Sequence, residues 1–130
     1  MSEQNVALVR EMIEAAFERG DPEGALAAFS EDVVFHPLVA GPYHGRAGVA
    51  EQMMVWVAEF DDYWYEADEL IDAGEDRVLV LWRHGGVGRT SGILTEAEGA
   101  TVFRVGEGGI AEAWVYSDRA EARAAAGLSS

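Results

Sequence analysis

Three histidines, His36, His44 and His84, and one aspartate, Asp118, have the widest chemical range among the polar side chains of this sequence. Histidine exchanges a proton near neutrality without any help from its surroundings. His36 and His84 fall in runs that read as strands, and beside a buried carboxylate either could act as an acid or a base. His44 sits in the glycine-containing stretch Ala40–Gly48 and reads as exposed. No His-x-x-x-His spacing occurs and there is no cysteine, so neither a zinc motif nor a thiolate nucleophile is on offer. The sequence leads us to expect no metal and no cofactor. Asp118 follows Tyr116 by two residues at the end of the last predicted strand. It could cap the helix that follows, or it could place a carboxylate at the mouth of a cavity. Glu112 shares a strand face with Ile110, Trp114 and Tyr116, so it is either solvated at a sheet edge or paired, with Arg83 or Arg104 as partner.

The aromatic residues are the second feature: five phenylalanines, four tyrosines and four tryptophans in 130 residues. Each can be plain core. As a group they interleave with polar residues, and an apolar hollow with a few placed polar groups is the usual form of a small-molecule site. Candidates for its wall are Phe17, Tyr43, Met53 and Trp56 from the first half, and Tyr65, Trp82, Phe103 and Trp114 from the second. The run Gly85-Gly86-Val87-Gly88 superficially suggests a nucleotide-binding loop. It lies between two predicted strands, however, and lacks the helix N-terminus that would receive a phosphate.

The elements that must hold these residues follow from periodicity. Val6, Val9, Ile13, Ala16 and Phe17 form one stripe of an amphipathic helix, which Gly20 stops. Asp21-Pro22 restarts a short helix. Asp32–Leu38 is β-branched and aromatic, and Pro37 should confine it to a short or edge strand. A third helix is predicted from about Arg46 to Phe60. Four strand-like runs follow, Tyr63–Ala73, Arg77–Arg89, Gly92–Val105 and Ile110–Ser117, and then an alanine-rich helix over Asp118–Gly127. The breaks between strands are too short for parallel crossovers, so neighbours should be antiparallel. Early helices and late strands indicate an α+β domain, with one unit spanning 1–130. Val78, Val80, Trp82 and His84 share one strand face and Leu79, Leu81 and Arg83 the other; both look apolar, so one should meet the helices and the other a second copy.

Composition narrows the partners. Acids outnumber bases 24 to 9, for a net charge of −15, and every base is arginine. Such a field repels phosphate backbones, so neither nucleic acid nor an anionic membrane is expected. The first ten residues have no apolar core of a signal peptide, and a cytoplasmic location is expected.

Several pieces together carry a resemblance. They are the opening helix Val6–Arg19 with Gly20-Asp21 and Ala25-Leu26; Val34-Phe35-His36-Pro37 followed by Gly41–Arg46; Ala73–Val78; and the ending Gly109-Ile110, Tyr116–Ala122 and Ala126-Gly127-Leu128. On these the chain resembles the SnoaL-like branch of the nuclear-transport-factor-2-like superfamily, relatives of ketosteroid isomerases and polyketide cyclases. The resemblance implies a cone: a curved antiparallel sheet wrapped on three N-terminal helices, with a short C-terminal helix, a deep pocket and a dimer formed through the sheets. It implies a small apolar or polycyclic ligand. It also implies cofactor-independent isomerisation, cyclisation or dehydration by proton abstraction next to a carbonyl, or else binding without catalysis. In the catalytic version His36 or Asp118 would take the proton, and Tyr116 or His84 would stabilise the enolate. Where some relatives carry an acid just before the tyrosine this chain has Val115, which counts against an epoxide hydrolase or cyclase.

Overall fold

The computed structural model describes residues 2–128. Its first helix, α1 (Ser2–Ile13), runs straight into a π-helical turn over Glu14–Glu18. Val9, Met12 and Ile13 enter the core, as the stripe requires. The wider turn, in which the Arg19 N–H donates to the Glu14 carbonyl at 2.9 Å, then shifts the buried face by one residue. Ala15 is sealed while Ala16 is half-buried. Asp21 caps α2 (Pro22–Leu26) by accepting from the Gly24 N–H at 3.0 Å.

Strands β1 (Phe29–His36) and β2 (Tyr43–His44) precede helix α3 (Gly45–Ala58). The long strands β3 (Phe60–Gly74), β4 (Arg77–Gly88), β5 (Leu94–Gly106) and β6 (Gly109–Tyr116) then form an antiparallel meander, closed by α4 (Arg119–Ala125). The six strands make one curved sheet in the order β2-β1-β6-β5-β4-β3.

Two expectations need correction. The sheet is mixed, because β1 lies parallel to β6, with Phe35 opposite Ala113 and His36 opposite Trp114. These strands are far apart in the chain, so no short link dictates their direction. Nor is β1 an edge strand: it is flanked by β2 and β6. Pro37 falls just past its end and therefore removes no ladder hydrogen bond. The edge on this side is β2, inside the stretch read as loop, and the opposite edge is β3.

The two apolar faces of β4 have different coverings. Val78, Val80 and Trp82 join Phe103, Ala113 and Val115 in the core beneath the helices. Leu79, Leu81, Ala100 and Val102 point the other way and are buried against Ala122 and Ala126 of the tail. The second apolar face, from which a dimer was expected, is thus largely sealed within a single chain.

A bulge bends the sheet where it matters most. Asp61 faces Val87 and Trp64 faces Gly85, so Asp62 and Tyr63 together oppose Gly86. Asp62 takes a left-handed backbone, φ 53°. A Cβ at Gly85 would stand 2.3 Å from the Thr95 carbonyl oxygen, which explains the glycine-rich run: it lets backbone and indole close in on a bent strand.

Candidate functional site

Between the inner sheet face and helices α1 and α3 lies a chamber of about 70 Å³. The first helix and its π turn contribute Ile13 and Phe17, and α3 contributes Gln52, Met53 and Trp56. Tyr65, Trp82 and Phe103 form the sheet side. Phe17 stacks on Tyr65 with centroids 4.2 Å apart. These two rings also line a second cleft, whose rim carries Arg10, Glu14, Glu18 and Glu66. Trp82 is held through its Nε1–H, which donates to the Thr101 hydroxyl at 3.0 Å. Burial, with smaller contributions from Tyr63 and Asp68, pushes the Tyr65 phenol far above its ordinary pKa and keeps it neutral.

A wider groove of about 340 Å³, called the mouth below, adjoins the chamber through two shared lining residues. Leu38 and Val39 from the loop after β1, and Val55 from α3, give it an apolar rim; Val39 is 81% exposed. Its polar lining is Tyr43, Gln52, Glu59 and His84. Gln52 and Trp56 line both chamber and groove, so they form the neck between them.

At the neck runs a chain of hydrogen bonds. The Trp56 Nε1–H donates to the Tyr63 hydroxyl oxygen, and that hydroxyl lies 3.0 Å from His84 Nδ1. Indole nitrogen can only donate, which leaves the Tyr63 proton free to go to His84. With Nδ1 as the acceptor, a neutral ring would carry its proton on Nε2. Burial lowers the His84 pKa and raises that of Tyr63, so both are uncharged at neutral pH. His84 is also packed by aromatic rings, with Trp56, Trp82 and Phe60 at centroid distances of 4.8, 5.1 and 5.8 Å.

Of the twelve residues singled out from sequence, Phe17, Met53, Trp56, Tyr65, Trp82 and Phe103 line the chamber, and Tyr43 and His84 line the mouth. The other four are elsewhere. His36 projects from the outer sheet face, stacks on Trp114 at 5.5 Å, and bonds through Nε2 to Glu112 at 2.8 Å. Burial works upward on the Glu112 carboxyl, but hydrogen bonds from His36 and Arg104 outweigh it and hold the pKa below the usual range. Trp114 and Tyr116 pack against the outer apolar cluster, because Ala113 and Val115 take the inner positions of β6. Asp118 is exposed and caps α4, accepting from Ala120 N–H at 2.7 Å and Glu121 N–H at 3.2 Å. His36, Trp114, Tyr116 and Asp118 therefore do not converge with His84. As expected for a residue of the glycine loop, His44 is exposed.

Three polar residues of the site were missed. Gln52 had a signal: it stands at helical spacing between Val49 and Trp56, a lone amide on an apolar stripe. Tyr63 is aimed by a bulge that no local pattern announces. Glu59 simply follows the last turn of α3.

No curated protein matches this chain in sequence. Several solved structures do match. An NTF2-like protein from Burkholderia thailandensis is 25% identical, with a TM-score of 0.79 over 96% of this chain and 98% of that one. A candidate polyketide cyclase from Xanthomonas campestris pv. campestris is 27% identical, with a TM-score of 0.69 over 96% and 98%. A protein of ketosteroid isomerase-like fold from Catenulispora acidiphila, solved with trimethylamine, is 18% identical and shares the fold, with a TM-score of 0.73 over 94% and 93%. The SnoaL-like domain family matches residues 9–113.

Proposed function

Because this chain belongs to the SnoaL-like domain family, and because an aromatic chamber adjoins a groove along which the His84–Tyr63–Trp56 hydrogen-bond chain runs, we propose that it binds a small, neutral, largely apolar ligand and moves a proton beside that ligand's carbonyl. The chamber alone is too small for a fused ring system, since an apolar cavity that takes benzene measures about 150 Å³. The ligand would span chamber and groove, and a carbonyl at the neck would meet the polar groups there. There an Nε2–H on His84 would be a neutral donor suited to a developing oxyanion. Glu59 supplies a carboxylate on the groove lining. It would take the proton as the C–H bond breaks; the electron pair moves onto the carbonyl oxygen, and return of the proton to carbon completes an isomerisation or exchange. No cofactor enters these steps. The observation that carries the reading is His84 on the groove lining, packed among Trp56, Trp82 and Phe60 and hydrogen-bonded to Tyr63.

Deuterium incorporation into 2-tetralone in D2O, followed by NMR, tests it. The native chain should exceed buffer, and His84→Phe and Glu59→Gln should each reduce the rate by about 10²-fold or more. Binding of the ketone, seen as a change in tryptophan fluorescence, with exchange no faster than buffer would leave a binding module and remove the catalytic reading. A variant exchanging at the native rate would lose its assigned role. The proposal also includes a homodimer through the part of the outer sheet face that α4 leaves uncovered.

A further inference from the structure

Gln52 is the polar residue whose position is hardest to explain by folding alone. It is 6% exposed, it lies at the neck shared by chamber and groove, and among the described residues no hydrogen bond engages its side-chain amide. An amide that no protein group engages, on the wall of an otherwise apolar hollow, leaves its hydrogen bonds for whatever occupies that hollow. Among the described residues no fully enclosed side-chain polar atom lacks a partner, and Gln52 lines both chamber and groove. The neighbouring turns of the same helix face are filled by Val49 and Trp56, so leucine or methionine would satisfy the packing.

We propose that Gln52 is the specificity anchor of this cavity, and that it selects ligands bearing one neutral oxygen function, a ring hydroxyl or ketone, on an otherwise apolar ring system. This rests on the reading of the cavity as a ligand site. An amide can donate to a carbonyl and accept from a hydroxyl, so it serves both oxygen types. It offers no charge. Among the described residues neither chamber nor groove is lined by arginine, the groove carries Glu59, and the whole chain has a net charge of −15. A carboxylate ligand would shed its water without gaining a cationic partner. The other polar groups on the chamber wall are less suited. The Thr101 hydroxyl already accepts from Trp82, and Tyr65 lies against Phe17 on the wall facing the second cleft.

Three probes separate the possibilities: naphthalene, 2-naphthol and ionised 2-naphthoate, titrated against the full chain by tryptophan fluorescence at pH 7.5. The native chain should bind 2-naphthol about tenfold more tightly than naphthalene, the size of effect one buried hydrogen bond produces, and 2-naphthoate more weakly than either. In Gln52→Leu and Gln52→Met the ratio of naphthol to naphthalene affinity should fall about tenfold. Both variants should melt no lower than the native chain, since they remove an unpartnered amide; a lower melting temperature would reveal a structural partner and overturn the proposal. Equal native affinity for naphthol and naphthalene would overturn it while leaving the cavity a ligand site. So would retention of the preference in both Gln52 variants, or its loss in Tyr65→Phe instead. If no probe binds the native chain, the reading of the cavity falls, and this inference with it.

Discussion

His84 sets both the chemistry and the acid sensitivity of the neck. Its pKa is lowered by burial, so the folded state holds a neutral ring where the unfolded chain begins to take up a proton. The unfolded state then binds more protons, and stability rises with pH across that interval. The contribution of His84 is fully present above about pH 6.5, the ordinary histidine value, and is lost as pH falls through the lower folded value. Urea unfolding at pH 7.5 and 5.5 should show the native chain weakened at the lower pH, and His84→Gln should flatten that difference. An unchanged pH slope in the variant would contradict the assignment. The carboxylates do not confuse the comparison. Asp68, held low chiefly by its Arg83 hydrogen bond, and Glu112 keep their contributions until pH falls below the ordinary carboxylate range. The wall residues were legible in sequence because Tyr65, Trp82 and Phe103 are large apolar groups that a strand must bury on one face or the other. Gln52 was legible in principle, as the polar interruption of an apolar helical stripe.

At the level of elements, the order and type of all the longer ones were readable, but the two-residue β2 and the facing of the strands were not. Alternation along Ile110–Tyr116 separates Trp114 and Tyr116 from Ala113 and Val115 without saying which pair looks inward. The larger aromatics suggest a pocket wall, yet the inner positions hold the small residues, because Phe35 of the parallel neighbour β1 and Phe103 of β5 already fill that space. Once Trp114 faces outward, His36 must follow, being its register partner, and Asp118 is left to cap α4. This makes a sharp expectation. Asp118→Ala should lower stability by about 1 kcal/mol, the usual worth of an N-cap, measured by urea unfolding. It should leave the exchange rate on 2-tetralone unaltered. A loss of exchange comparable to that of His84→Phe would return Asp118 to the reacting centre. The bulge at Asp62-Tyr63 was illegible for a different reason: it is a property of two strands in register, and neither strand alone contains it.

For the molecule as a whole, charge and exposed apolar surface pull association in opposite directions. The outer sheet face is largely covered by α4, but Trp114, Tyr116 and His36 remain half-buried in one chain, a strip that pairing with a second copy would seal. Each copy carries a net charge of −15. At low salt that repulsion reaches across an interface, whereas near 1 M salt the screening length shrinks to about 3 Å. The paired ions on this face do not offset it, because Arg83–Glu66, Arg83–Asp68 and Arg104–Glu112 are at least partly exposed, and exposed pairs contribute roughly 0–1 kcal/mol each. Sedimentation of the full chain at micromolar concentration should therefore shift from mostly monomer at low salt toward dimer at high salt. Trp114→Glu, which adds charge to the strip, should hold the chain monomeric throughout. A native chain that stays monomeric at every salt concentration would show that α4 is cover enough, and would end the case for a dimer through this face.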